Sequence, residues 1–369
     1  MPSAVDELRE LCHGLDEEPL LHASLGSKEL FHSNLIAWFV DHHPVAARDV
    51  FESWSRPEPG VIAAATERER RHLDLVIHLG GLAPLVVENK VFSPPREDQL
   101  IEYAQKVAGQ YTPAAEFMLL SLSDPGWPGR ERELGGHRWR YRSYGHLGHA
   151  MTAAAEHVSG SYDRETVTHY GLMVTMLQRV ASLVAVEVAE GTTFAMPAPL
   201  KAELEKVRLS QGFEKLRARS IAHYINAQLQ DRGLDVAVVD EYTRTWPLLE
   251  AFARVPETND EIGWQYQEGQ WRLAVRVLPR HPCHGTGAEQ RAKREAYVME
   301  HYADWFDFTA VDKVLGTTAA DAPKGENLRR FDPDFLYRYR KAKNATVSQL
   351  CDLAEVAARR ALAYGEAAE

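Results

Sequence analysis

The sequence predicts an α/β protein in which a mixed central sheet is flanked by helices over about residues 1–190 and followed by an α-rich C-terminal region with a few strands. Three observations predict it. Apolar residues recur at helical spacing in 28–40 and 97–110. Between them, the short β-branched or alternating runs Val61–Glu67, Leu73–Leu79 and Leu85–Phe92 are separated by turn residues. Two further long helical patterns, over about 145–157 and 165–190, then close the first half of the chain.

In chain order, a polar helix is expected over about Val5–Leu15. A second, Lys28–Val40, is capped by Ser27 and turns Leu30, Leu35, Ile36 and Phe39 inward. Glu29, His32 and Ser33 lie at i, i+3 and i+4 and share the other face of that helix. A helical segment Pro44–Trp54 precedes three strands in a meander, which Pro94-Pro95 ends. After the helix at 97–110, Phe117–Leu122 reads as a buried strand and His137–Arg142 as a more exposed one, with 123–136 between them as a Gly-, Pro- and charge-rich loop. Residues 191–199 (GTTFAMPAP) have a linker's composition, which suggests a domain at 1–190 and another at 200–369. In the latter, a helix is expected at Leu200–Arg232, strands at Asp235–Val239 and Trp264–Leu278, and helices near 290–305 and 348–363.

Composition narrows the function classes. The 369 residues are 45% hydrophobic and 26% charged, the balance of a chain that packs a core. No apolar run is long enough for a membrane span, and the acidic N-terminus has no secretory pattern, so a cytoplasmic location is expected. Cys12, Cys283 and Cys351 are too scattered for a disulfide framework. His42-His43 and the pair His281 and His284 lack a second pair at zinc spacing. A net charge of −11 excludes a general nucleic-acid coat protein and leaves phosphate contacts to local basic patches or bound cations.

The chemistry concentrates on two strands. Asp74 sits on the opposite face from Leu73 and Leu75. In Val86-Val87-Glu88-Asn89-Lys90-Val91, Glu88 and Lys90 project to one side and Asn89 to the other. If the connection is centred on Gly81, Asp74 lies opposite Glu88, with Cβ atoms about 4.5–5.5 Å apart, where two like charges repel unless a cation joins them. Two carboxylates with the Asn89 backbone carbonyl make a hard oxygen site suited to Mg2+ or Mn2+ rather than zinc, and Lys90 beside it can polarise a water. That is hydrolytic phosphodiester chemistry, although a Glu and a Lys two apart also suit an ordinary solvated strand. The flanking valines argue for a central, buried strand.

These residues carry a resemblance. Glu29-Leu-Phe-His32-Ser33-Asn-Leu-Ile-Ala-Trp38, then Glu67 or Glu69 ahead of His72-Leu-Asp74, then Val87-Glu88-Asn89-Lys90-Val91, then Gln99-Leu-Ile-Glu-Tyr103 resemble the PD-(D/E)XK nuclease superfamily, in particular a bacterial branch with an E-x-x-H-S helix and an E-N-K strand. The likeness covers about 20–190 and continues weakly to Phe331–Lys343. It implies a restriction-endonuclease-like sheet, Asp74 and Glu88 as metal ligands, Lys90 as the catalytic lysine, Glu29 as the helix-borne acid completing the metal or water network, and Gln99 and Tyr103 presented toward the site. Arg70-Arg71-His72 stands where that branch has a Gly-Arg pair, and no literal Pro-Asp is present. Glu29, His32, Gln99 and Tyr103 suit structural or rim positions equally well.

Two basic stretches are candidate nucleic-acid contacts. Arg138, Arg140 and Arg142 alternate with Trp139 and Tyr141, and Arg338, Arg340 and Lys341 lie among the aromatics of Phe331–Lys343. An arginine-rich edge strand, or docking against the acidic remainder of the chain, explains the same pattern. The expected function is a Mg2+-dependent nuclease, foremost a DNA endonuclease in defence against foreign DNA, with a homodimer attractive for cutting two strands. A non-catalytic nucleic-acid sensor on a nuclease scaffold and an RNase are the rivals.

Overall fold

The computed structural model describes residues 3–366 except 27, 59–64, 69–73, 94–95, 112–113, 186–190, 244–245, 257, 259 and 318–327. The Ser27 cap, Glu69, the Arg70-Arg71-His72 departure, Pro94-Pro95 and the first half of the Val61–Glu67 run lie outside the described residues. The chain forms two compact units, one of residues 1–185 with 198–216 and the other of 186–197 with 217–369.

The first unit opens with α1 (Ala4–Asp16), α2 (Pro19–Ser24), α3 (Lys28–His42) and α4 (Pro44–Phe51). Ser3 starts α1 with a capping box shared with Asp6, which satisfies two backbone donors at once. The sheet follows: β1 (Ala65–Arg68), β2 (Leu75–His78), β3 (Leu85–Lys90), then α5 (Glu97–Val107), β4 (Glu116–Ser121), β5 (Glu131–Leu134) and β6 (His137–Ser143). Its order is β1-β2-β3-β4-β6-β5. The first three strands run antiparallel as the expected meander, and β4 and β6 run parallel to β3. A parallel neighbour needs a crossover, and α5 supplies the one from β3 to β4. All six residues of β3 are buried, including its three polar ones, as a strand covered on both faces requires.

On one face, α5 packs Leu100, Ala104 and Val107 on Val76, Val86, Phe117, Leu119 and Trp139. α3 contacts β1, β2 and β3. Its orientation corrects the sequence reading. Leu30 is 40% exposed, whereas His32 and Ser33 are buried with Ile36, Phe39 and Val40, so the polar stripe of the helix faces inward. The loop expected at 123–136 contains the edge strand β5, turned onto β6 through Gly135-Gly136, both at positive φ as a tight hairpin of this hand demands. Four residues of mostly charged sequence at a sheet edge carry little hydrophobic signal, which hides such a strand.

α6 (Tyr144–Ala154) and α7 (Ser161–Val184) pack closely because glycines face each other at the crossing. A Cβ on Gly148 would lie 2.3 Å from Thr175 Oγ1 and 2.5 Å from the Gly171 carbonyl. Gly148→Ala therefore forces the helices apart, at a cost of about 1–3 kcal/mol. A thermal melt should show the first unit losing a few degrees, and an unchanged transition would contradict this packing. The helix expected at 200–232 is two, α8 (Ala198–Lys206) and α9 (Ser210–Asp231). Arg208 at positive φ ends α8, and Leu209 N–H returns to the Leu204 carbonyl. The segment read as a linker divides correspondingly, 191–197 going with the second unit and 198–199 with the first.

The second unit combines helices with a full six-stranded antiparallel sheet. Its strands are β7 (Val239–Tyr242), β8 (Pro247–Arg254), β9 (Glu261–Gln267), β10 (Gln270–Arg276), β11 (Arg329–Phe331) and β12 (Phe335–Lys341), in the order β11-β12-β10-β9-β8-β7. α10 (Ala288–Tyr302), α11 (Thr309–Leu315), α12 (Val347–Glu366) and the later turns of α9 contribute to its core, where Trp264 and Trp271 stack at 4.5 Å. The run 264–278, read as one strand, is most of a hairpin that reverses at Glu268-Gly269, both at positive φ. The strand expected at 235–239 begins only at Val239.

Candidate active site

β2 and β3 pair Leu75 with Val87, Val76 with Val86 and Ile77 with Leu85, so Asp74, one residue before β2, faces Glu88 in the expected register. The Asn89 N–H donates to Asp74 Oδ2 at 2.8 Å. Alternation along β3 sends Glu88 and Lys90 to the same side, and Lys90 Nζ meets Glu88 Oε1 at 2.9 Å. Glu88 is 1% exposed and Lys90 8%. Burial of ionisable groups to this degree is rare outside functional sites and paired networks.

Asn89 points to the other face and ties the first turn of α3 to β3. Its amide donates to the Glu29 carbonyl and to Ser33 Oγ, each at 3.0 Å, and it accepts from the Tyr144 hydroxyl. Nearby, His32 Nδ1 and the Tyr170 hydroxyl are 3.0 Å apart. Burial pushes the His32 imidazole down to about 3, so it is neutral, and raises the Tyr144 and Tyr170 hydroxyls well above their usual range. This uncharged network holds the turn that carries Glu29. His32 and Ser33 thus help to pack this turn against β3, on the helix face that they share with Glu29.

The electrostatics follow from three acids and one ammonium in a poorly hydrated space. Burial, then the Asp74 charge, raises Glu88 to about 8, against the opposing pull of Lys90. Asp74 is raised by burial, partly offset by the Asn89 N–H. Burial works to lower Lys90, but Glu88, Glu29 and Asp74 outweigh it and raise the ammonium above its ordinary value. Glu88 Oε2 and Glu29 Oε1 are buried without a hydrogen-bond partner among the described residues. Unpartnered carboxylate oxygens of this kind are costly and suit a hard cation. Among the described residues, however, no three His, Cys, Asp or Glu side chains already converge as a ligand set.

Asp74 and Glu29 open onto a cleft of about 580 Å³, whose wall also includes Ser33, Phe92 and Ser93. Gln99 and Tyr103 lie one turn apart on α5, half-buried and bonded to each other at 2.5 Å, on the sheet face that Glu88 and Lys90 share by alternation with Val86. Glu67 is engaged by His78 at 2.9 Å.

The two basic stretches fare differently from expectation. Trp139, Tyr141 and Tyr144 are buried in the core, so none offers a ring for base stacking. Arg138 pairs with Glu131, and Arg140 pairs with Glu116 at 2.9 Å. Arg142, half-buried, donates to the Tyr141 carbonyl. In β12 the alternation sends Arg338 over the Phe306 ring and Arg340 onto Asp312 at 2.9 Å, while Lys341 is exposed. The aromatics of β12 occupy the opposite face, where Arg272, overlooked in the sequence, lies 4.9 Å from the Tyr337 ring centre and 2.6 Å from Gln265. Its signal was available: Gln265, Gln267, Gln270 and Arg272 alternate with buried aromatics on the adjacent strands.

Residues 52–173 match the family model of the PD-(D/E)XK nuclease superfamily. The matched segment contains Asp74, Glu88, Lys90, Gln99 and Tyr103, while Glu29 lies upstream of it. No curated protein and no solved structure matches the chain. No helix among the described residues is long and apolar enough to cross a membrane.

Proposed function

Starting from a PD-(D/E)XK nuclease segment at residues 52–173, we propose that the protein is a divalent-metal-dependent DNA endonuclease, with Asp74, Glu88 and the Asn89 carbonyl holding Mg2+ or Mn2+ and Lys90 serving the attacking water. The observation that carries the reading is the cluster of three acids around the buried Lys90 ammonium, with Glu88 Oε2 and Glu29 Oε1 left unpartnered among the described residues. An all-oxygen donor set fits a hard cation, which would lower the pKa of a water and neutralise charge building on the phosphate.

The chain's own groups do the rest. Lys90 keeps its proton, orients the attacking water and presents positive charge to the phosphate oxygens as they gain negative charge. Glu29, held by Asn89 and Ser33 through its backbone, adds an acceptor for that water. Gln99 and Tyr103 would brace the site from α5. Arg138, Arg140, Arg338 and Arg340 have partners within the protein and Arg142 donates to the Tyr141 carbonyl, so the exposed Lys341 is the better phosphate contact of the two basic stretches. The proposal extends, on resemblance alone, to a cytoplasmic role in defence against foreign DNA, with the second unit selecting substrate, sensing a trigger or forming a homodimer.

The test is incubation of the purified protein with plasmid, linear and single-stranded DNA and with RNA, in Mg2+, Mn2+ or EDTA, beside Asp74→Asn. DNA should be cut in either metal and left intact in EDTA, and Asp74→Asn should be slower by about 10²-fold or more. Cutting of RNA alone would replace the DNA assignment. Nucleic-acid binding with no cutting under any condition would favour the scaffold reading.

A further inference from the structure

Residues 198–216 lie beyond the segment that matches the nuclease family, yet they pack in the first unit. The first turn of α9 rests on the turn that follows β3. Phe92 is 6% exposed, and its ring meets Phe213 edge-on at 5.5 Å. A Cβ on Gly212 would come within 2.4 Å of the Phe92 ring, so the helix approaches this closely only because that residue is glycine. Phe92 is two residues past Lys90, and the start of α9 is thereby anchored to the end of the catalytic strand.

One result is that Gln211, Gly212 and Lys215 line the same cleft as Glu29, Asp74 and Ser93. Gln211 and Lys215 are one helical turn apart and share a face. Lys215 thus places an ammonium on the cleft wall, and the adjacent acid, Glu214, is held by Lys201 at 2.7 Å. The cleft is therefore polarised, with carboxylates on one wall and an ammonium on another. A polyanionic strand entering it is repelled by the acids, and a cation on a second wall offsets that repulsion and sets where the backbone lies.

Resting on the nuclease reading, we infer that Lys215 contacts a backbone phosphate neighbouring the one presented to Asp74 and Glu88, so that residues outside the matched segment complete the substrate cleft. A flexible ammonium suits this contact, because it supplies a point charge without demanding one geometry and reads no base.

The experiment measures anisotropy of a short fluorescein-labelled DNA duplex and of its single strand across a salt titration in Ca2+, with wild type, Lys215→Gln and Lys215→Arg. Losing one phosphate contact should weaken Kd about tenfold near physiological salt and reduce the slope of log K against log salt by about 0.7–0.9, with Lys215→Arg restoring both. A purely structural lysine would alter the melting temperature without moving the salt slope. An unchanged slope in Lys215→Gln, or equal losses in Lys215→Gln and Lys215→Arg, overturns the inference while wild-type cutting in Mg2+ stands. Conversely, wild type that cuts nothing in Mg2+ or Mn2+ overturns the nuclease reading. The phosphate contact then survives if the slope still falls in Lys215→Gln, and fails with that reading if wild type does not bind.

Discussion

If the protein is the proposed DNA endonuclease, replacing Lys90 by methionine should lower DNA cutting by about 10²–10⁴-fold at saturating metal, the range lost when one positioned charged or proton-handling group is removed from an active site. Methionine keeps most of the buried stem but removes the ammonium that Glu88 holds at 2.9 Å. Two consequences separate this variant from a misfolded one. Glu88 loses its strongest opposing charge, so burial and Asp74 raise its pKa further, and the carboxyl takes up a proton rather than leave an uncompensated buried charge. The protein should then still melt cooperatively, and metal affinity should weaken toward neutral pH, because protons compete for Glu88. Retention of full cutting by Lys90→Met would remove Lys90 from the chemistry. Loss of cutting together with loss of the cooperative melt would trace the defect to folding.

Glu88→Gln should stabilise the metal-free protein while it abolishes cutting. The Glu88 carboxyl has its ordinary value of 4.5 in the unfolded chain and is raised to about 8 by burial and by Asp74 in the folded one. Between these values the folded state binds the extra proton. Stability from this group is therefore complete below about pH 4.5 and is lost as pH rises through about 8. Each pKa unit is worth about 1.4 kcal/mol, which makes the penalty at alkaline pH of the order of a few kcal/mol. Glutamine cannot ionise and carries no such penalty. In EDTA the variant should melt several degrees above wild type near pH 8 and converge with it toward about pH 5. Adding Mn2+ should raise the wild-type melt and leave the variant nearly unmoved. Parallel melts across the pH range would show that Glu88 is not held in a carboxylate-hostile site.

The same burial of charge, costly to stability and useful to chemistry, makes the site legible in the sequence. Hydrophobic residues flank Glu88-Asn89-Lys90 so closely that the strand must be central, and a central strand with two charges two residues apart must bury both on one face. The Gly80-Gly81 turn places Asp74 opposite Glu88, because strand alternation and a hairpin centre leave one register. The family resemblance then links Glu29, Gln99 and Tyr103 to that pair.

Other features depend on which face a residue presents, and there the local pattern misleads. Leu30 reads as an inward residue but is 40% exposed, while the amide of Asn89 and the hydroxyls of Tyr144 and Tyr170 supply the partners that let the polar His32 and Ser33 be buried. Trp139 and Tyr141 read as stacking rings beside arginines, yet alternation in β6 sends the rings into the core and the arginines to Glu131 and Glu116. Short charged strands such as β5, and the reversal at Glu268-Gly269, carry signals spread over only a few residues, weaker than the surrounding patterns.

Local periodicity and charge spacing thus determined the elements of the first half, the pairing of Asp74 with Glu88, and the chemistry open to Lys90. Tertiary structure decided what surrounds them: which helix face is buried, which arginines already have partners, and the return of Gln211, Gly212 and Lys215 to a cleft more than a hundred residues upstream in the chain. The reason is physical. A strand's faces and a hairpin's register are set by neighbours within a few residues, whereas burial of a polar group is tolerated only when a partner arrives from a distant segment, and that arrival is a property of packing.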